Sequence, residues 1–219
     1  MTGAGRSTPA TGYEVSVCSG SNKCPHAASS TAALVGDLTR LLAQADISGF
    51  LKTSLGEIIK HHHVFRITLS DCPNACSRPQ IADIGIIGAM VPWVGDAPCT
   101  CCNACVQACP DQAVRLTDSP EGDKKPVIDR NRCQRCGNCV HVCPSRTLEP
   151  VQSGFRILLG GRLGRHPRLA LEMPGLHSSE QVLATVETCL TYYKTHSRNG
   201  KRFSRLFTRL DQVIPGNRR

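Results

Sequence analysis

The chain has 219 residues with fourteen cysteines and a formal net charge of +9, a length that fits one domain of ordinary size plus a small one. Its longest apolar stretch, Ile84–Val94, is too short to cross a membrane, and no basic run is interleaved with aromatic residues. A membrane span is therefore excluded, and nucleic-acid binding is not expected. Because no apolar signal segment precedes the first cysteine, we expect a cytoplasmic protein whose reduced thiols bind metal rather than form disulfides.

The N-terminal part of the sequence predicts one cysteine pair and one helix. Residues 1–16 are rich in Gly, Ser and Thr and are expected to form a flexible N-terminus. Cys18 and Cys24 follow as a C-x5-C pair. Beyond two serine caps, a helical period over Thr31–Ala45 predicts an amphipathic helix whose apolar stripe is formed by Leu34, Leu38, Leu41 and Leu42.

A predicted strand leads to a second cysteine pair. His61–His63 are expected to form a loop, and Val64–Leu69 to form a strand that delivers Cys72 and then Cys76, spaced C-x3-C. The apolar run Ile84–Met90 predicts a buried strand after this pair. Each of the two cysteine pairs is, by itself, weak evidence for a metal site.

The middle of the chain contains two copies of one cysteine pattern, C-x2-C-x2-C-x3-C-P. This pattern is typical of bacterial ferredoxins with two [4Fe–4S] clusters, in which the fourth cysteine of each run binds the other cluster. It therefore predicts two quartets that exchange their last members. We name them the A site, formed by Cys99, Cys102, Cys105 and Cys143, and the B site, formed by Cys133, Cys136, Cys139 and Cys109.

The alternative is a structural zinc site, which normally uses two separated C-x2-C pairs. The first three cysteines of each run follow one another at x2 spacing, and this spacing argues against zinc. Gly137 permits the tight loop that wraps a cluster. Cys101 is out of register with the pattern and is expected to bind no metal. The ferredoxin domain is predicted to span residues 97–150.

The C-terminal part predicts a strand and two helices. Phe155–Leu159 is expected to form a buried strand. The apolar face of the first helix is formed by Val182, Leu183, Val186, Cys189, Leu190 and Tyr193, so Cys189 is expected to be a core thiol. The second helix continues with Phe203, Leu206, Phe207 and Leu210. Its outward side is expected to be solvated, with a docking face for an acidic electron donor as the alternative, and is formed by Lys201, Arg202, Arg205 and Arg209.

Four segments outside the ferredoxin pattern carry a specific combination of motifs: Val17–Gly20 (VCSG), Arg66–Cys76 (RITLSDCPNAC), Ile81–Gly88 (IADIGIIG) and Phe155–Pro167 (FRILLGGRLGRHP). Together they resemble the sirohaem–[4Fe–4S] half of the nitrite and sulfite reductase family, in particular the small assimilatory-type sulfite reductases and the sulfite-reductase-like proteins of anaerobes. The resemblance implies an α+β fold in which a mixed sheet with flanking helices carries an inserted ferredoxin module. The reductase-like domain would be discontinuous, with residues 17–96 and 151–219.

The same resemblance implies a third metal site, which we name the C site. In it, Cys18, Cys24, Cys72 and Cys76 would hold a third [4Fe–4S] cluster coupled to sirohaem. Cys76 would be the catalytic residue, because its sulfur would bridge that cluster to the sirohaem iron. The carboxylates of sirohaem require cationic and amide partners. The candidates by position are Lys23, Asn74, Arg78, Arg162, Arg165 and His166.

The implied function is the reduction of sulfite, or alternatively nitrite, with electrons passed by an electron-donor protein through the ferredoxin clusters. The alternative is an electron-transfer iron–sulfur protein or subunit without sirohaem catalysis. Two features depart from the family: Asp71 stands where Gly is usual, and only 17 residues precede Cys18, where longer members have a substrate-gripping region. We therefore expect the anion pocket to be completed by a homo-oligomer or partner subunit, or by Lys23, Arg66, Arg78 or the His61–His63 loop.

Overall fold

The computed structural model describes residues 11–21, 23–118 and 124–214. Its strands are β1 (Tyr13–Val17), β2 (Phe65–Ser70), β3 (Ile84–Val94), β4 (Val114–Asp118), β5 (Lys124–Ile128), β6 (Leu148–Leu159) and β7 (Leu171–Glu172). Its α-helices are α1 (Ala32–Gln44), α2 (Ile47–Leu55), α3 (Ala104–Gln107), α4 (Asn138–His141), α5 (Ser179–His196) and α6 (Phe203–Leu206). Five strands form one mixed sheet in the order β1-β2-β3-β6-β7, in which β1, β2 and β3 are parallel and β6 is antiparallel to both neighbours. The predicted α+β class, a mixed sheet with flanking helices, is confirmed.

The first strand lies inside the segment that was expected to be flexible. Strand β1 pairs in parallel with β2, in a register that places Tyr13 beside Phe65, and Tyr13 and Val15 pack against the core. The prediction is wrong for residues 13–16, because the alternating apolar positions there are too few to stand out beside the Gly- and Thr-rich start. Residues 1–10 lie outside the described residues.

Helices α1, α2, α5 and α6 and the five-stranded sheet enclose the main apolar core. The α1 leucines Leu34, Leu38 and Leu42 are fully buried, as their spacing predicts. Helix α2 was not predicted; it begins after Asp46, whose carboxylate accepts a hydrogen bond of 3.0 Å from Gly49 N as an N-terminal cap. In the described ranges, none of the helices has the length and apolar character needed to cross a lipid bilayer.

Strands β3 and β6 are neighbours, as predicted, and carry a long excursion between them. Their antiparallel register places Ile84 beside Leu159 and Met90 beside Ser153. Both strands are longer than predicted, because they continue beyond the core to residues 94 and 148 and support the excursion. Between those ends lie α3, α4 and the two-stranded sheet of β4 and β5.

The predicted second C-terminal helix is shortened to the single turn α6. Two arginines from the turn after β6 donate hydrogen bonds to carbonyl oxygens in α6 and just after it. Arg162 donates to Ser204 O, and Arg168 donates to Phe207 O at 2.6 Å. The expected outward position of Arg202 is also wrong. Its side chain is only a quarter exposed and forms an ion pair of 2.8 Å with Asp83, a residue far away in the sequence.

Candidate metal centres and the adjoining cleft

The four cysteines of the C site come from two distant segments that the sheet brings together. Cys18 directly follows β1 and Cys72 lies just after β2, and since these strands are parallel neighbours, both segments leave the sheet at the same edge. Cys18 N donates a hydrogen bond of 3.0 Å to Leu69 O. Burial raises the pKa of the Cys72 thiol, and electrostatic interactions with Cys24, Cys76 and Cys18 raise it further. The other three cysteines of the C site thus lie near enough to Cys72 to affect its thiol, and their assignment as a ligand set stays a prediction.

Asp71, which departs from the family pattern, ties the two C-site loops together. Its buried Oδ1 accepts hydrogen bonds from Thr31 N at 3.0 Å and from Thr31 Oγ1 at 2.6 Å. Its carbonyl oxygen accepts two more, from Ala28 N at 2.8 Å and Ser29 N at 3.2 Å. Both loops contact β3 at Gly88, where a Cβ atom would overlap the carbonyl oxygens of Ser29 and Asp71. The junction therefore requires a residue without a side chain at this position.

In the excursion, the last cysteine of the second run lies beside the first run. Burial raises the pKa of the Cys105 thiol, with additional contributions from Cys143 and Cys99. For Cys143, burial alone would raise the pKa, but hydrogen bonds led by the one from Leu148 N hold it below its usual value. This arrangement is compatible with the A site, whose ligand assignment stays a prediction.

The B-site cysteines form a second group. Burial raises the pKa of the Cys139 thiol to about 12, and Cys136, Cys133 and Cys109 contribute to the shift. The same four residues line one small internal cavity. Ala113 N donates a hydrogen bond of 3.2 Å to the sulfur of Cys109. Cys109 thus lies with the second run although it belongs to the first.

All cysteines of the chain are free thiols, and two of them lie outside the three quartets. Cys189 is fully buried in the core, as predicted, and Cys101 is exposed. Within the described ranges, no three Cys, His, Asp or Glu side chains lie close enough together to hold a single metal ion. A cubane cluster binds one thiolate at each of several corners, so its ligands are farther apart than those around one ion.

Beside the C site lies a cleft of about 770 Å³. Polar side chains of β1 and β2 line it, together with Cys76 and Arg78, which are both exposed. Leu163 and Gly164 also line it. Five basic side chains line the cleft, namely His61, His62, Arg66, Arg78 and Arg202, against one carboxylate, Glu14. The cleft is therefore suited to an anionic molecule.

The arginines of the cleft are held in different ways. Arg66 pairs with Glu14 at 3.3 Å and donates a hydrogen bond of 2.7 Å to His61 O. Arg202 is held by the buried Asp83, and its Nε is buried without a hydrogen-bond partner among the described residues. Arg78 has a left-handed backbone conformation, with φ of 62°. Arg66 and Arg202 are thus fixed by carboxylates, whereas the exposed Arg78 can approach a ligand.

The predicted cofactor-binding residues are distributed unevenly around the cleft. Arg78 lines it, and Asn74 Nδ2 donates a hydrogen bond of 3.0 Å to the sulfur of Cys76. Arg162 instead binds backbone, through His166 O at 2.9 Å and Ser204 O. The other three, Lys23, Arg165 and His166, have exposed side chains that do not line the cleft.

Arg66 and Arg202 were absent from the predicted cofactor set, although Arg66 was among the residues expected to complete the anion pocket. Arg66 and Thr68 are two residues apart on β2 and therefore lie on the same polar face of the strand. The period-2 pattern of the sequence could have assigned Arg66 to the face that lines the cleft. Arg202 had no such signal, since its position depends on contact with Asp83, 119 residues away in the sequence.

Comparisons with known proteins place these features in a family. The model of the family described as nitrite and sulphite reductase 4Fe-4S domain matches residues 13–212. Over 138 residues the chain is 31% identical to the coenzyme F420-dependent sulfite reductase of Methanocaldococcus jannaschii, covering 63% of this chain and 21% of that protein. Its fold is similar to the crystal structure of dissimilatory sulfite reductase I, with a TM-score of 0.55, 16% identity, and coverage of 94% of this chain and 54% of the other. The structure of the NirA protein of Mycobacterium tuberculosis has a TM-score of 0.42 and 19% identity over 83% of this chain and 22% of the other.

The family match is the finding that decides identity, because it covers both halves of the sheet and all three cysteine quartets. The likeness to dissimilatory sulfite reductase I supports the architecture alone, at 16% identity. The chain spans 21% of the length of its curated relative, so the activity of that whole protein is not transferred by the match. The chain belongs to the nitrite and sulphite reductase 4Fe–4S domain family of iron–sulfur oxidoreductases.

Proposed function

We propose that this chain is an oxidoreductase that reduces sulfite with a sirohaem bound beside the C site. The observation that carries the proposal is the position of Cys76, an exposed thiol that belongs to the C-site quartet and also lines the cationic cleft. The name of the Methanocaldococcus jannaschii relative supports sulfite as the substrate, and nitrite is the alternative. Electrons would enter from a donor protein through clusters at the A and B sites.

The donor sets fit the cofactors that the family implies. Each quartet offers four free thiols, and amide groups donate hydrogen bonds to sulfurs in all three, an interaction that tunes the reduction potential of a bound cluster. The A, B and C sites would each hold one [4Fe–4S] cluster. Cys76, Arg78, Arg66 and Arg202 would face the sirohaem. Bound sirohaem supplies an iron centre at which a small oxyanion can accept electrons.

The side chains of the cleft would bind the anionic groups and hold protons. An unpaired anion in a partly desolvated pocket costs several kcal/mol, so at least two cationic groups should face the substrate. Arg78, which forms no ion pair among the described residues, is the first candidate, and Arg66 and Arg202, which already pair with Glu14 and Asp83, are the others. The ring nitrogens of His61 and His62 can hold protons that reduction of an oxyanion consumes.

Replacing Cys76 with serine tests the proposal. We expect Cys76→Ser to remove sirohaem or to uncouple it from the C-site cluster, because serine lacks the thiolate sulfur that would hold these groups where the C site meets the cleft, while clusters at the A and B sites remain. The measurement is the optical spectrum and iron content of anaerobically purified protein. Sirohaem gives strong chlorin-type bands, whereas clusters alone give a broad brown shoulder.

The control for this experiment is Cys101→Ala, which removes an exposed thiol outside all three quartets and should leave the spectrum and iron content unchanged. The unmodified protein is produced in cells that supply sirohaem. If its spectrum then shows clusters but no chlorin-type bands, the result would favour the alternative of an electron-transfer protein without sirohaem catalysis. Zinc in place of iron would contradict both readings.

The exposed edge of the cleft suggests a pocket shared between chains. Cys76 and Arg78 are both exposed where a bound anion would need to be enclosed, so we propose that a second copy or a partner subunit covers them. Specific activity for sulfite reduction with an artificial donor should then fall as the protein is diluted. Constant specific activity from a demonstrated monomer would refute the shared pocket, without affecting the Cys76 result.

A further inference from the structure

Strand β3 runs past the three cysteine sites in the order C, B, A. Positions along the strand therefore give the approximate distances between the sites. At Gly88 it contacts the two C-site loops. At Met90 it contacts the B loop, defined as residues Cys133–Cys139: Met90 N donates a hydrogen bond of 2.7 Å to Arg135 O. One residue beyond its far end, Gly95 N donates to Thr147 O at 2.8 Å, beside the A site. With a rise of about 3.3 Å per residue, Gly88 lies about 7 Å from Met90 and about 23 Å from Gly95.

A second contact joins the B loop directly to the C site. The Nδ1 atom of His26 lies 3.3 Å from the Oδ1 atom of Asn138. His26 is two residues after Cys24, and Asn138 is the residue before Cys139. Gly137 instead lets the B loop pack closely on β3, because a Cβ atom there would lie 2.8 Å from the sulfur of Met90. By contrast, the hydrogen bonds around the A site, in the part of the chain that the structure describes, remain within the excursion and the start of β6.

An ion-pair cluster holds the B loop against the main sheet. Glu172 on β7 accepts a hydrogen bond of 2.8 Å from Arg156 Nε on β6, and lies 3.5 Å from Arg135 Nη2 in the B loop. The two arginines approach one carboxylate from different parts of the molecule. All three side chains are about one-third exposed or less, so the pairing is partly shielded from solvent.

We propose that the B site, not the A site, is the point at which the inserted module passes electrons to the C site, and that Glu172 is the positioning residue that holds the B loop there. The inference rests on the proposed function, because it requires clusters at these sites. In each transfer, one electron leaves the reduced B cluster and is gained by the oxidised C cluster. No bond forms or breaks and no proton moves, and a low-potential one-electron donor re-reduces the module. Electron tunnelling slows steeply with distance, which favours the nearer cluster.

The spatial order is tested by the magnetic interaction between reduced clusters, which also falls steeply with distance. The full chain is reconstituted anaerobically, reduced with dithionite and studied by electron paramagnetic resonance. In Cys102→Ala, which removes an A-site ligand, the C-cluster signal should keep the splitting or fast relaxation seen in the parent. In Cys133→Ala, which removes a B-site ligand, that interaction should be lost. The opposite pattern overturns the proposal.

The role of Glu172 is tested with all clusters in place. Glu172→Gln should keep the iron content of the parent but weaken the B–C magnetic interaction and slow electron transfer between these clusters at least tenfold. Glu172→Asp should restore part of the magnetic interaction and part of the electron-transfer rate. The control, Glu187→Gln, changes an exposed carboxylate on α5 and should alter neither of these two quantities. An unchanged interaction in Glu172→Gln overturns the positioning role. Absence of iron from the B or C site of the parent overturns the proposed function itself, whereas full iron loading with a dominant A–C interaction overturns only this inference.

Discussion

Replacing Gly88 with alanine is expected to remove the C-site cluster and to destabilise the reductase-like domain. The added Cβ atom would lie 2.5 Å from Asp71 O and would also overlap Ser29 O. Both are backbone atoms, and the two segments are joined by the hydrogen bond from Ser29 N to Asp71 O, so neither can move without opening the junction. Overpacking of this kind typically costs about 1–3 kcal/mol, and here the displacement also separates the loops that carry Cys24 and Cys72.

The measurement for Gly88→Ala is iron content together with thermal unfolding. We expect the loss of one cluster's iron, while the iron of the A and B sites remains. Gly36→Ala is the matched control, since no atom lies within 4 Å of the Cβ position in the exposed face of α1. Alanine is a better helix former than glycine, so this control should be neutral or should stabilise by about 0.5–1 kcal/mol. Retention of all iron and full stability in Gly88→Ala would show that the junction is not closed as described.

The second large effect is expected from Asp83→Ala. The Asp83 carboxylate is only 1% exposed and accepts hydrogen bonds from Arg66 N at 3.1 Å and Ser204 N at 3.2 Å, besides pairing with Arg202. Breaking a buried ion pair lowers the free energy of unfolding by about 3–5 kcal/mol. Because the Arg202 side chain is a quarter exposed, we expect Asp83→Ala to lower it by about 2–3 kcal/mol. For a chain of this size that loss lowers Tm by roughly 5–10 °C. Arg202 would also lose its fixed position in the cleft.

A double-mutant cycle with Arg202→Leu separates the charge pair from the lost backbone contacts. The double variant should be less destabilised than the sum of the single changes, because it leaves no unpaired cation. Asp37→Ala is the control: Asp37 pairs with Arg40 at 3.2 Å on the exposed side of α1, where the pair is worth about 0.5 kcal/mol or less. If Asp83→Ala unfolds at the same temperature as Asp37→Ala, the buried pair does not anchor the C-terminal segment.

The sequence by itself determined the features that depend on short spacing. The repeated C-x2-C-x2-C-x3-C-P pattern predicted two clusters that exchange their last ligands; the structure is compatible with the exchange, because Cys143 lies beside the first run and Cys109 beside the second. The leucine period of α1 and the apolar runs of β3 and β6 predicted elements that the structure contains. Local patterns of this kind are readable because neighbouring residues in the chain are also neighbours in space.

The tertiary structure decided the features that depend on long-range contact. Strand β1 exists because β2 offers it an edge, and the turn α6 ends where Arg168 binds its carbonyls. Arg202 lies in the cleft because it pairs with Asp83, and the B loop contacts the main sheet through Glu172 and Met90. Each of these outcomes rests on partners separated by tens of residues or more, for which the local sequence carries no period, cap or spacing. Their free energy arises from burial and pairing, which exist only once the sheet has assembled.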